Sequence, residues 1–248
     1  MSTTPEIPFR RGAISPVECL TEGWNLVKDQ YWLFLGICAV AMMIGGAVPL
    51  GILMGPMMCG VYLCFFSKRR GLPIEFGTLF KGFDYFGQSV VAAILHVVPV
   101  MAIIIPAYLF GYVGMILMMA ALGADSSGIS SILMFLVLIV FWIVVILLLI
   151  VVTIGFSFAY PLVVDRGLQG FDAVKLSFRA AFANFWGLLG MSVLGALLST
   201  VGVLLCYVGV LFVFPITMAA VAVAYEKIFG LSTPGDLASN LPPPPPSF

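Results

Sequence analysis

One histidine is the residue whose type and position first suggest chemistry. His96 is the single histidine of the chain and falls in the third predicted span, 88–112, which contains no Asp, Glu, Lys or Arg. An imidazole at such a depth can bind a metal or relay a proton. A relay needs further ionisable groups at the same depth, however, and the segment supplies none. We therefore expect His96 to make a polar contact with a neighbouring helix or to lie near a polar pocket with Gln88 and Ser89.

Sulfur side chains form the second group that could bind a ligand. Thiolates and thioethers select Cu(I). The sulfur residues of the first two apolar segments are Cys38, Met42, Met43, Met54, Met57, Met58, Cys59 and Cys64. Methionine also packs freely in apolar helices, and no Met-rich or His-rich loop is present to deliver a metal. We expect no metal site, and we expect the five cysteines, which form no CxxC pair, to be reduced thiols that pack as small hydrophobes.

No other motif in the chain predicts catalysis. The sequence has no phosphate-binding glycine loop, no HExxH, no GxSxG and no paired carboxylates within an apolar segment. The serines and threonines of these segments lack a nearby base that would activate them. The sequence predicts a protein that is not an enzyme and that needs no cofactor.

Composition identifies the solvent in which these residues fold. Apolar residues make up 62% of the 248 residues and charged residues 9%, against about 45–50% and about 25% in soluble domains. Residues 133–154 contain no charge, glycine or proline, and about 20 such residues span a bilayer as a helix. Transmembrane barrels are excluded because their strands alternate apolar and polar residues. The net charge is zero, which makes nucleic acid an unexpected partner.

The apolar segments predict an all-α integral membrane protein with six transmembrane helices arranged as three hairpins. The predicted spans are 31–48, 50–67, 88–112, 131–158, 185–201 and 204–226. All eleven Lys and Arg residues lie before the first span, after the last, or in the second and fourth connections. Because loops rich in Lys and Arg stay in the cytoplasm, both termini are predicted to be cytoplasmic. Dividing the third run into two spans would give seven helices and would place the basic segment 164–180 on the wrong side.

The middle hairpin, 74–164, is longer than a bilayer requires. Apolar character continues over about 90–122 and 132–163, which corresponds to roughly 50 Å of helix, whereas the hydrocarbon core is about 30 Å thick. Pro99 and Pro106 favour a kink in the first of these helices. An apolar excess needs a partner, so membrane lipids and other membrane-protein subunits, bound through the middle hairpin, are the expected partners.

The first and last thirds of the chain repeat one pattern. Shifted by 154 residues, the apolar stripe at 17, 20, 24, 27 and 31 coincides with positions 171, 174, 178, 181 and 185. This spacing is typical of one helix face. Ser15, Pro16 and Glu18 predict the start of the first such helix through an N-cap, a proline at the first position and a capping-box carboxylate. A weaker third copy begins near Phe76.

Each copy is predicted to be a cytoplasmic amphipathic helix at the membrane interface, followed by a hairpin through the membrane. The resulting organisation is an N-terminal tail (1–14), one membrane domain (15–230) with outer repeats at 15–71 and 169–230, and a Pro-rich disordered tail (231–248). The expected interfacial anchors are Trp24, Tyr31, Trp32, Phe178, Phe185 and Trp186. Gly51 and Gly55 are four residues apart, a spacing that lets membrane helices approach closely.

The segments SPVECLTEGWNLVK, GPMMCGVYL and FKGFDYF resemble a group of bacterial six-span membrane proteins of uncharacterised function. Related domains are similar to the membrane-anchoring part of some glycerophosphodiester phosphodiesterases. The resemblance covers about 15–230 and implies a bacterial inner-membrane location. It carries no catalytic residue, and the chain contains no soluble phosphodiesterase domain.

Two functions remain open at this stage. The dry interior and the overlong hairpin favour a non-catalytic structural or accessory subunit that packs with other membrane proteins. The alternative is a transporter or scaffold for lipids or other apolar molecules, which the internal repeat also fits.

Overall fold

The computed structural model describes residues 7–47, 51–123, 128–204 and 208–232. The predicted Pro-rich tail lies outside these residues from 233 onward, as do Asp125 and Cys206. All regular secondary structure among the described residues is helical. The helices are α1 (Pro16–Val27), α2 (Tyr31–Ala47), α3 (Met54–Arg69), α4 (Phe76–Phe80), α5 (Phe86–Gly123), α6 (Gly128–Phe156), α7 (Ala159–Arg166), α8 (Gly170–Ala183), α9 (Phe185–Leu204) and α10 (Val208–Phe229).

Four helical stretches among the described residues are long and apolar enough to cross a membrane. They are Pro16–Ala47, Phe76–Ala120, Ile132–Arg166 and Gly209–Phe229. A fifth candidate is the pair Gly170–Ala183 and Phe185–Thr200, which bends by 91°. The prediction of a multi-pass helical membrane protein is confirmed. The second predicted span, 50–67, overlaps α3, which has 16 residues and is shorter than the roughly 20 that a span needs.

The chain divides into two compact units. Unit 1 contains residues 1–95 and 154–248, and unit 2 contains residues 96–153. In unit 1 the helices approach closely at glycines, because a glycine has no side chain to separate two backbones. A Cβ at Gly23 of α1 would lie 2.7 Å from the backbone nitrogen of Ala220 in α10, and Gly60 of α3 lies against the backbone of Leu79. Stacked rings of Phe34 and Phe65, 5.0 Å apart, join α2 to α3.

Helix α1 begins at Pro16, as its sequence predicts, but the predicted capping box does not form. The Ser15 side chain makes no capping hydrogen bond. The Glu18 carboxylate instead lies 3.1 Å from the ammonium of Lys227 in α10. The long-range ion pair replaces the local cap because α1 packs along α10. The Tyr31 hydroxyl, at the start of α2, donates a 2.6 Å hydrogen bond to the Phe212 carbonyl.

Unit 2 consists of the facing parts of α5 and α6. The ring centroids of Phe110 and Phe141 are 4.5 Å apart. Gly111 makes room for the Trp142 indole and Gly114 for the Leu138 side chain. Most other large apolar side chains on both helices are exposed.

Candidate functional sites

An apolar groove lies between α5 and α6 within unit 2. Its volume is about 590 Å³. Four of its eleven lining residues are aromatic: Tyr108, Tyr112, Phe135 and Trp142. The remainder are Gly111 and Met, Leu and Ile side chains. The groove is open to the surroundings of the hairpin.

Trp142 is held in the groove wall by contacts from α5. A Cβ at Gly111 would lie 2.8 Å from Cζ2 of the indole, so the glycine is what allows the ring to occupy this position. The Tyr108 ring meets it edge to face, with centroids 6.1 Å apart, a favourable aromatic geometry. A groove of this size and composition is suited to an apolar ligand.

A buried carboxylate forms the second candidate site, in unit 1. Asp165, at the end of α7, has a side chain with no exposed surface. It accepts hydrogen bonds from the Arg70 guanidinium at 2.8 Å and from the Tyr225 hydroxyl at 2.8 Å. Arg166 Nε is 3.3 Å from Oδ2 of Asp165. The ends of α3 and α7 and the final turns of α10 therefore meet at one carboxylate.

The same groups hold the segment that follows α10. The Ser232 backbone N–H lies 3.2 Å from both Asp165 oxygens, and its hydroxyl oxygen is 2.7 Å from Oδ1. Arg166 donates to the carbonyls of Phe229 and Gly230 at 2.9 and 3.1 Å. An uncompensated buried charge would cost several kcal/mol, and the surrounding donors compensate the charge of Asp165. We therefore interpret Asp165 as a structural residue that holds these segments together.

A second buried polar residue, Asn184, holds the segment before α1. Its side-chain carbonyl accepts a 3.2 Å hydrogen bond from the Ala13 N–H, and its amide donates to the Arg10 and Ala180 carbonyls at 3.1 and 3.0 Å. The Arg10 N–H in turn donates to the Ile228 carbonyl at 3.0 Å. Both segments that flank the helical core are thus attached near the end of α10.

Neither Asp165 nor Asn184 was predicted from the sequence. Asp165 directly follows a long apolar run and precedes Arg166 and Gly167, a pattern that also describes an exposed helix end. Its partners are 95 and 60 residues away in the chain, so no local signal identifies them. An isolated acidic residue in YPLVVDRG is the only available sequence signal.

Partly exposed ion pairs surround Arg69 at the same end of unit 1. Its guanidinium pairs with Glu226 and, at 3.3 Å, with Glu22, and Glu22 also pairs with Lys227 at 3.0 Å. Partial burial lowers the pKa of Arg69, but the hydrogen bonds and charges of Glu226 and Glu22 together outweigh burial and raise the pKa above its ordinary value. A polar cavity of about 250 Å³ adjoins this network and is lined by Glu22, Asn25, Leu26, Lys68 and Arg69.

The six predicted interfacial anchors, together with Phe212 and Phe182, form two chains of neighbouring rings. Trp24, Tyr31, Trp32 and Phe212 make the first, and Phe178, Phe182, Phe185 and Trp186 make the second. The repeat-related pairs have closely similar geometry. Tyr31 and Trp32 are 6.0 Å apart at 73°, and Phe185 and Trp186 are 5.7 Å apart at 75°. Trp32 and Trp186 are 74% and 81% exposed.

The remaining predicted residues occupy different places. His96 is partly buried in α5, at the beginning of unit 2. Ser89 is buried and bonds the Phe86 carbonyl at 3.0 Å, whereas Gln88 is exposed. Gly51, with φ of +63°, precedes α3.

Gly55 packs closely against α5, because a Cβ added there would lie only 2.4 Å from the Ser89 carbonyl oxygen. Cys19, Cys38, Cys59 and Cys64 are buried and outside any disulfide. Within the described part of the chain, His, Cys, Asp and Glu residues form no group of three that could hold a metal.

Comparison of the chain with protein-family models, curated proteins and solved structures found no match. The resemblance to bacterial six-span proteins therefore stays a prediction. The fold and the two sites define the class as a multi-pass helical membrane protein.

Proposed function

We propose that this membrane protein is a non-catalytic structural or accessory subunit, which packs against other membrane proteins through the hairpin of unit 2. The observation that carries the proposal is the exposed apolar surface of α5 and α6. Exposed large hydrophobic side chains occur on every turn of α5 from Met101 to Met119 and of α6 from Ile132 to Leu148. In a bilayer, an apolar surface of this extent is covered by lipid tails or by another membrane protein.

The length of α5 adds to this argument. Its 38 residues correspond to about 57 Å at 1.5 Å per residue, against a hydrocarbon core of about 30 Å. Tilt and kinks at Pro99 and Pro106 absorb part of the difference. A second membrane protein would cover the rest.

The proposed topology has six spans in a bacterial inner membrane, with both termini in the cytoplasm. The ion pairs support it, because Arg69, Arg70, Arg166 and Lys227 belong to the ends of α3, α7 and α10 and meet at one end of unit 1. A common basic end is expected to remain in the cytoplasm. The 91° bend between α8 and α9 supports an interfacial α8. Helix α1 packs along α10, and this packing does not support an interfacial position for α1.

Site-specific photocrosslinking in the native host tests the partner proposal. A benzophenone amino acid at Leu109 on α5 samples the hairpin, and one at Leu197 on α9 is the matched control, since the two leucines are 66% and 60% exposed. We expect a protein adduct from position 109 and none from 197, and native mass spectrometry of the complex would give its stoichiometry. Protein adducts of equal yield from both positions, or none from position 109, would contradict the proposal.

The groove of unit 2 favours a second candidate, a scaffold or transporter for lipids or other apolar molecules. Its apolar lining and open side are what such a function requires. Purified protein in vesicles, assayed for exchange of a fluorescent phospholipid between the leaflets and between vesicles, tests this function. Rates equal to those of protein-free vesicles would exclude transport.

A further inference from the structure

We propose that the groove between α5 and α6 is a binding site for one hydrocarbon chain of a bilayer lipid. The proposal rests on the second candidate function, and it names the ligand and the residues that hold it. It requires a resident lipid chain and does not require that the protein move lipid.

The chemistry of the walls selects an uncharged, apolar occupant. Of the eleven lining residues, only Tyr108, Tyr112 and Trp142 carry a polar side-chain atom. Residues 96–120 and 132–153 contain no Asp, Glu, Lys or Arg. A peptide loop or a charged headgroup would leave backbone or ionic groups unsatisfied there, at a cost of several kcal/mol. A hydrocarbon chain has no such groups.

The size of the groove distinguishes a lipid chain from a partner helix. An α-helix 10–12 Å wide fills roughly 420–610 Å³ per 5.4 Å turn. The groove holds about 590 Å³, which is about one turn, whereas a partner helix crossing the membrane has five or six. A single extended chain is narrow enough to lie along the groove.

Contacts between α5 and α6 hold the walls of the groove. Gly111 and Tyr108 fix the Trp142 indole from α5, and Gly114 receives the Leu138 side chain. Walls held by such contacts lose less entropy when a ligand binds. Inside a bilayer this packing must provide the selectivity, because transfer from lipid gives no hydrophobic driving force.

Photolabelling with a defined lipid tests the proposal. The protein is reconstituted in phosphatidylcholine vesicles that contain a phosphatidylcholine with a diazirine near the end of one chain, and adducts are mapped by mass spectrometry. Met115→Trp fills the groove from α5. Leu117→Trp is the matched control, because Leu117 is similarly exposed (56% against 49%) but does not line the groove.

We expect adducts to be enriched on the eleven residues that line the groove, relative to the exposed apolar residues of α5 and α6 that do not line it. Met115→Trp should lower this labelling about fivefold and Leu117→Trp less than about twofold, as expected when only one substitution occupies the site. Even labelling of the exposed surface, or an equal loss in both variants, would overturn the proposal. Specific labelling without lipid exchange would retain the site and reject transport.

Discussion

The hydroxyl of Tyr225 in α10 donates a 2.8 Å hydrogen bond to Asp165 at the end of α7, 60 residues earlier in the chain. Asp165 is 1% exposed and accepts a hydrogen bond from the guanidinium of Arg70 at its other carboxylate oxygen. A carboxylate with this burial connects three parts of the chain through charge-assisted bonds, which are stronger than neutral ones. It links the basic ends of the helices to the segment that follows α10.

Removing this carboxylate should destabilise unit 1 strongly. Asp165→Ala leaves Arg70 and Arg166 without their shared counter-ion, and breaking a buried pair costs about 3–5 kcal/mol. The loss should be near the lower limit, because the two arginine side chains are 23% and 22% exposed. The free energy of unfolding, from denaturant titration in mixed micelles, measures it. Asp29→Asn, at an exposed position, should change it by less than about 0.5 kcal/mol. Equal effects of both substitutions would refute the role of Asp165.

Helices α1 and α10 pack closely at Gly23, where a methyl group has no room. Gly23→Ala should destabilise the protein by about 1–3 kcal/mol, the usual result of overpacking, because the added carbon meets the Ala220 backbone at 2.7 Å. Gly46→Ala is the control, since nothing lies within 4 Å of a Cβ there. In α2, that change should stabilise the helix by about 0.5–1 kcal/mol. Opposite signs are expected in the same unfolding assay, and a neutral Gly23→Ala would show that the two helices can separate.

The segment before α1 should be released when its amide anchor is removed. Asn184→Ala deletes the hydrogen bonds to Ala13, Arg10 and Ala180. Each backbone group that stays buried without its partner destabilises the folded protein by about 1–3 kcal/mol. We expect trypsin to cleave after Arg10 or Arg11 faster than in the unchanged protein, as followed by mass spectrometry over time. Asn25→Ala, at an exposed position of α1, should leave the cleavage rate unchanged. A similar acceleration in both variants would mean that Asn184 does not hold the segment.

Ion pairs around Arg69 should contribute much less than those of Asp165. The Arg69 side chain is 33% exposed and that of Glu226 is 30% exposed, so water screens their attraction, and such pairs are worth about 0.2–1 kcal/mol. A double-mutant cycle with Arg69→Met and Glu226→Gln should give a coupling energy in this range that falls as salt is added. A coupling above about 2 kcal/mol, insensitive to salt, would show that the pair is desolvated in the membrane.

The sequence by itself determined the class of the protein and the identity of most helices. Long apolar segments require lipid as solvent and helical hydrogen bonding within each segment, so α5, α6, α9 and α10 follow from composition alone. The residues that the repeat aligns, Tyr31 with Phe185 and Trp32 with Trp186, also form similar ring pairs. Such features depend on residues that are close together in the sequence, so the sequence pattern predicts them.

Tertiary structure decided which polar residues matter and which glycines are contacts. Asp165 meets Arg70 and Tyr225 only because α3, α7 and α10 end together, and Glu18 left its predicted cap for Lys227 because α1 lies along α10. The groove likewise depends on how α5 and α6 pack around Gly111 and Trp142. These outcomes depend on contacts between distant parts of the chain, whose energies no local pattern contains.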